Sequence, residues 1–153
     1  MAINLSVNGR AVSVDVDPTT PLLYVLRNDA AINSAKYGCG AGQCGACAVL
    51  LDGKVVLSCS YPVGSVKGEI KTLESYQEDK ILNALNKAFI AEQAVQCGYC
   101  ISGMMIRAKT ILEKYKSPKV AQIKEGLQGH LCRCGTHTRI IKAIQRAAQE
   151  LSA

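Results

Sequence analysis

Apolar and polar residues alternate with a period of two at the start of the chain, first at Ile3, Leu5 and Val7 and again at Val12, Val14 and Val16. That period turns one face of a strand inward, and Asn8-Gly9 between the runs is a type I′ turn signal, so a β-hairpin with one buried face is expected. Leu22, Leu23, Val25 and Leu26 follow at helical spacing. Thr20 before Pro21 reads as N-cap and first helical position, and the helix should end near Asn28-Asp29. A second hairpin is expected from the runs 48–51 and 55–59 around Asp52-Gly53, with a last short strand over 69–73.

Beyond Leu73 the period becomes helical. Ile81, Leu82, Leu85, Ala88 and Phe89 share one face, and Met104, Met105, Ala108, Ile111 and Leu112 share another in a helix over 101–115, the methionines serving as core fillers. Ser117-Pro118 starts a third helix carrying Val120, Ile123 and Leu127 and ending near Gly129. Residues 138–151 repeat Ile140, Ile144, Ala147 and Leu151 on one stripe. The pattern predicts an α+β chain: a sheet-and-helix domain over 1–75, a linker within 74–80, and four helices packed as a bundle over 76–153.

Composition and charge narrow the function classes. The 153 residues are 48% hydrophobic, ordinary for a globular protein. The N-terminus lacks the charged start and apolar run of a secretory signal, and no apolar stretch is long enough to span a bilayer. Assembly in the cytoplasm is therefore expected, with a periplasmic location only through co-export on a partner. The net charge of +6 lies wholly in residues 76–153, where lysines and arginines outnumber acids. Its lysines are scattered along predicted helices without interleaved aromatics, which reads as solvated helix faces rather than a nucleic-acid surface.

Eight cysteines in such a chain point to metal or redox use more than to disulfides. Cys39, Cys44, Cys47 and Cys59 are spaced C-x4-C-x2-C-x11-C within a glycine-rich loop and a return strand, the plant-type spacing for four thiolates on one [2Fe-2S] cluster. Structural zinc more often takes two close pairs. Cys97, Cys100, Cys132 and Cys134 form a second set, C-x2-C-x31-C-x-C, in two interhelical turns. This spacing is less specific, because C-x2-C serves zinc, redox dithiols and clusters alike. Two oxidised four-thiolate clusters, each of net charge about −2, would lower the chain to about +2. His130 and His137 flank the second set; with four cysteines already present, they read as polar turn residues and not as ligands.

With both sets placed, the chain resembles the small iron–sulfur subunits of the molybdenum hydroxylases, the xanthine dehydrogenase and aldehyde oxidoreductase family. The matching motifs are TPLLYVLR at 20–27, GCGAGQCGAC at 38–47, QCGYCISGM at 96–104 and LCRCGTHTRI at 131–140. The resemblance implies an N-terminal β-grasp, plant-type ferredoxin domain followed by a four-helix bundle, each holding one [2Fe-2S] cluster. It also implies a separate large subunit carrying molybdenum on a molybdopterin of cytosine dinucleotide type, and a flavin subunit or a cytochrome c as candidate acceptor. The substrate class would be an aldehyde or an N-heteroaromatic compound, and the chain would carry electrons without a substrate site of its own. A free-standing electron carrier that docks transiently is the alternative. By the same resemblance Gln96 and Cys134 lie beside the pterin. The CRCGT tail looks like the two-component isoquinoline, nicotinate and aldehyde dehydrogenases, although His130 and His137 stand where asparagine and tyrosine are common.

Overall fold

The computed structural model describes residues 2–153. Its sheet is built from β1 (Ile3–Val7), β2 (Arg10–Val14), β3 (Ala48–Leu51), β4 (Lys54–Leu57) and β5 (Glu69–Lys71) in the order β2-β1-β5-β3-β4. Both hairpins turn where the sequence indicates. Asn8 and Gly9, and Asp52 and Gly53, all take positive φ, as a type I′ turn requires. β1 and β5 are parallel neighbours and the other pairs are antiparallel. Val16 falls beyond the end of β2, and β5 stops at Lys71, short of the expected 73.

Helix α1 (Leu22–Asn28) lies on one face, where Leu22, Leu23, Val25 and Leu26 join Leu5, Val7, Val49, Leu51 and Ile70 in one core. It begins one residue later than expected, with Pro21 as its N-cap. The first helical N–H groups, which no intrahelical carbonyl can satisfy, donate instead to the loop after β4: Leu22 to the Tyr61 carbonyl at 2.8 Å and Leu23 to that of Ser58 at 3.0 Å. Helix α1 thereby fixes the segment that carries Cys59.

On the other side stand α2 (Lys80–Ala91), α3 (Ile101–Lys114), α4 (Val120–Gly126) and α5 (His137–Ser152). Leu82, Leu85 and Phe89 of α2 meet Met104, Met105 and Ile106 of α3 and Ile140 and Ile144 of α5. Strand β3 belongs to both cores: Ala48 and Leu50 face the helices, while Val49 and Leu51 face α1. All four are buried, which is why this strand reads as a continuous apolar run instead of an alternation.

The stretch expected as a linker is tied down at both ends. Asp79 caps α2 by accepting from the N–H groups of Ile81 and Leu82, each at 3.0 Å, and pairs with the largely buried Lys109 of α3 at 3.3 Å. Glu74 reaches back to the segment ahead of the first cysteines, accepting from the Asn33 and Ser34 N–H groups at 3.0 and 2.8 Å, the Ser34 hydroxyl at 2.5 Å and the Thr72 hydroxyl at 2.6 Å. Burial alone would push its carboxyl up, but the Ser34 and Thr72 donors outweigh it and hold the pKa below the usual value. A lowered native pKa stabilises the fold above the unfolded carboxyl's range, and that stability is lost as pH falls through the native value. Glu74→Gln is therefore expected to cost about 1 kcal/mol at pH 7, a partly exposed group's share of such bonds, with the gap to wild type closing below about pH 4. Thermal unfolding of both proteins at pH 7 and pH 3.5 checks it.

Candidate metal centres

Around Cys39, Cys44, Cys47 and Cys59 the backbone itself supplies donors to sulfur. Ala41 and Gln43 direct N–H groups at the Cys39 sulfur at 3.3 and 3.2 Å, Cys39 directs its own at Cys44 at 3.4 Å, and Gly42 donates to Cys59 at 3.4 Å. Gly42 does so at φ +66°, and a Cβ there would lie 2.8 Å from the Ser60 hydroxyl oxygen, so only glycine suits this turn. The loop is closed at its base by the Lys36 N–H on the Ala46 carbonyl at 3.0 Å. Arg27, in the last turn of α1, holds the approach to it by donating to the Ala35 carbonyl at 2.8 Å. Ser58 bonds the Cys47 carbonyl through its hydroxyl at 2.7 Å and its N–H at 3.3 Å, bringing the fourth cysteine beside the third.

These contacts set the thiol acidities apart. The N–H groups of Ala41 and Gln43 lower Cys39 to about 6, while burial raises Cys47 to about 11. Cys39 is exposed and Cys47 and Cys59 are buried, so the set has an outer edge and an inner one.

The second set is positioned by helix ends. Cys100 is the N-cap of α3, and Cys132 and Cys134 lie in the turn before α5, whose N-cap is Thr136. The second set thus lies at two helix N-termini, where the macrodipole places positive partial charge. At Cys132 burial works to raise the pKa, but the backbone N–H groups of Thr136, Cys134 and Gly135, together with the Cys100 thiol, bring it below the ordinary value. The Tyr99 N–H lowers Cys97, and burial raises Cys100 to about 12.

All eight cysteines are free, and within each set they face one another in pairs. Cys39 is a near neighbour of Cys44, Cys47 of Cys59, Cys97 of Cys134 and Cys100 of Cys132. Among the described residues no group of three or more His, Cys, Asp or Glu side chains is gathered for a single metal ion. Two facing pairs suit two metal atoms that take two thiolates each; a lone zinc would need all four sulfurs about 2.3 Å from one point. The donors aimed at sulfur fit the same chemistry, since cluster sulfurs are tuned by such bonds.

The two sets meet at a seam that neither cysteine spacing reveals. The Leu131 N–H donates to the Cys44 carbonyl at 2.9 Å, linking the second loop to a residue of the first set. The Ser102 hydroxyl donates to the Ser34 carbonyl, and the Tyr99 hydroxyl to the Tyr37 carbonyl at 2.5 Å. Gly103 of α3 lies directly against the Gly45 backbone. The His130 ring packs on Gly45 where a Cβ would project, buried, with neither ring nitrogen hydrogen-bonded among the described residues. Burial holds its pKa below the ordinary value, so the imidazole is a neutral packing element at this seam. His137 opens α5 and is half-buried. Gln96 and Cys97 are exposed, next to exposed Val95, and Leu131, 61% exposed, directly precedes Cys132.

Comparison with known proteins bears on both halves. Residues 5–81 match the 2Fe-2S iron–sulfur cluster binding domain family, and residues 72–145 match the [2Fe-2S] binding domain family. The chain is 47% identical over 148 residues to one of the subunits of nicotinate dehydrogenase from Pseudomonas putida, covering 96% of this chain and 94% of that one. It is 42% identical to the alpha subunit of isoquinoline 1-oxidoreductase from Brevundimonas diminuta, covering 97% and 98%. Among solved structures, a chain of quinoline 2-oxidoreductase from Pseudomonas putida 86 superposes with a TM-score of 0.89 at 34% identity, covering 99% of this chain and 96% of that one.

Proposed function

Because the chain belongs to the small iron–sulfur subunits of the molybdenum hydroxylase family, we propose that each of its thiol sets holds one [2Fe-2S] cluster and that electrons cross the seam between them. The observation that carries this is the gathering of eight thiols into two sets of two facing pairs, each set served by backbone N–H donors. A bound [2Fe-2S] cluster supplies storage of one electron at a time, whereas oxidation of the substrate releases two. What the protein supplies is ligation, burial and a fixed spacing.

The assignment of ligands follows the pairs: Cys39 with Cys44 and Cys47 with Cys59 in the first set, Cys97 with Cys134 and Cys100 with Cys132 in the second. We take residues 1–75 as a β-grasp ferredoxin domain and 76–153 as a four-helix bundle domain, a division supported by family matches that meet at 72–81. The second set has exposed apolar side chains next to it in sequence, Val95 two residues before the exposed Cys97 and Leu131 directly before Cys132. These side chains suit a large molybdopterin-bearing partner, with Gln96 and Cys134 against the polar edge of a pterin of cytosine dinucleotide type. Gln96 offers two donors and an acceptor and is held by the adjoining Cys97. Cys39, exposed in the first set, then lies on the side of the acceptor, a flavin subunit or a cytochrome c. The relatives named above support an N-heteroaromatic substrate, with an aldehyde as the second class. No helix among the described residues is long and apolar enough to cross a membrane.

Gln96→Ala in the assembled complex tests the pterin face. Iron content should stay at the wild-type level while molybdenum retention falls or cluster reduction by substrate slows in rapid mixing. Full molybdenum content with unchanged reduction rates would put the contact elsewhere.

A further inference from the structure

Thr136 stands at the N-cap of α5, where threonine ordinarily turns its hydroxyl onto an N–H of the first helical turn. Here it makes no such bond. Its backbone, at φ −81° and ψ 15°, lies outside the extended region from which a capping side chain reaches forward. The residue is 4% exposed, and its hydroxyl oxygen has no hydrogen-bond partner among the described residues. A buried hydroxyl carries a proton that needs an acceptor, and leaving it unpaired is costly. The surroundings indicate the acceptor. Thr136 follows Cys134 by two residues at the head of the 16-residue α5, so the buried hydroxyl belongs to the turn that carries Cys132 and Cys134.

We propose that the Thr136 hydroxyl donates a hydrogen bond to a sulfur of the cluster held by Cys97, Cys100, Cys132 and Cys134, and thereby raises that cluster's reduction potential. The inference rests on the second cluster assigned above. Its physical basis is that added electron density on reduction strengthens a hydrogen bond to sulfur, so the donor favours the reduced form. Thr136 acts here as a positioning and tuning residue toward one centre only. The first set draws its donors from the loop 39–43 and has no contact with this hydroxyl.

The test is an EPR-monitored redox titration of the assembled complex carrying Thr136→Val, which keeps the side chain's shape and removes its proton, beside Thr136→Ser, which keeps the hydroxyl. Valine should move one of the two iron–sulfur midpoints to more negative potential by about a tenfold change in its reduction equilibrium, about 59 mV for a one-electron couple. The other midpoint should stay in place, and serine should titrate as wild type. Should valine block assembly, Thr136→Ala takes its place under the same expectations. Unmoved midpoints at full iron content, or a serine variant shifted as far as valine, would overturn the proposal. A wild-type complex with about two irons per chain would instead remove the second cluster on which it stands.

Discussion

Gly103→Ala is expected to force α3 away from the first cysteine loop. A Cβ at this position would overlap the Gly45 carbonyl oxygen and come within 2.9 Å of its carbon and 3.3 Å of the Ala46 Cα. These are backbone atoms, and Gly45 is held: the Ala48 N–H bonds its carbonyl at 3.1 Å and the His130 ring packs against it. Helix propensity alone would favour alanine by about 1 kcal/mol, so a loss of stability isolates the tertiary contact. Forcing a methyl into a packed seam costs about 1–3 kcal/mol, and more where neither side can relax. For a chain of this size, about 3 kcal/mol lowers Tm by roughly 6–12 °C. Both centres should be disturbed, because the Leu131–Cys44 and Ser102–Ser34 bonds cross the same seam. Thermal unfolding and reduced-state EPR of the variant check this; a Tm within about 2 °C of wild type would show that the helix does not press on the loop.

Cys44→Ser should have the opposite selectivity, abolishing one centre and sparing the other. Cys44 lies beside Cys39 and its sulfur accepts the Cys39 N–H, so under the proposed ligand assignment its loss would leave one metal atom with a single thiolate. The second set does not depend on that side chain. Its contact with this residue runs from the Leu131 N–H to the Cys44 carbonyl, which serine retains, and its thiols are held by the ends of α3 and α5. Iron should fall by about half, from about four to about two per chain, with one of two EPR signals remaining. Loss of both signals would mean that the centres assemble only together.

Much of this is legible in local chemistry. Asn8-Gly9 and Asp52-Gly53 specify their turns because few other pairs accept two successive positive φ values, and the helical stripes are visible because one face of each helix is buried. The cysteine spacing marks out the first set for a similarly local reason: three of its thiols sit in a single loop. Features that depend on the two halves meeting are hidden. Gly103, on which helix periodicity has no bearing, is the residue that lets α3 approach Gly45. His130 reads as a polar turn residue and is buried at the seam. Thr136 has the chemistry of an ordinary N-cap, and only its backbone angles and burial show that it does not cap. The start of α1 is displaced because the Leu22 N–H bonds the Tyr61 carbonyl and the Val63 N–H the Thr20 carbonyl, setting Pro21 opposite Pro62 in a long-range arrangement invisible to capping rules.

The central claim is that one short chain carries two [2Fe-2S] clusters, one on each thiol set. Iron and acid-labile sulfide per chain, measured with EPR of the reduced wild-type protein, test it most directly. About four irons and four sulfides with two distinguishable signals are predicted; about two irons with one signal, or zinc in the second set, would contradict it.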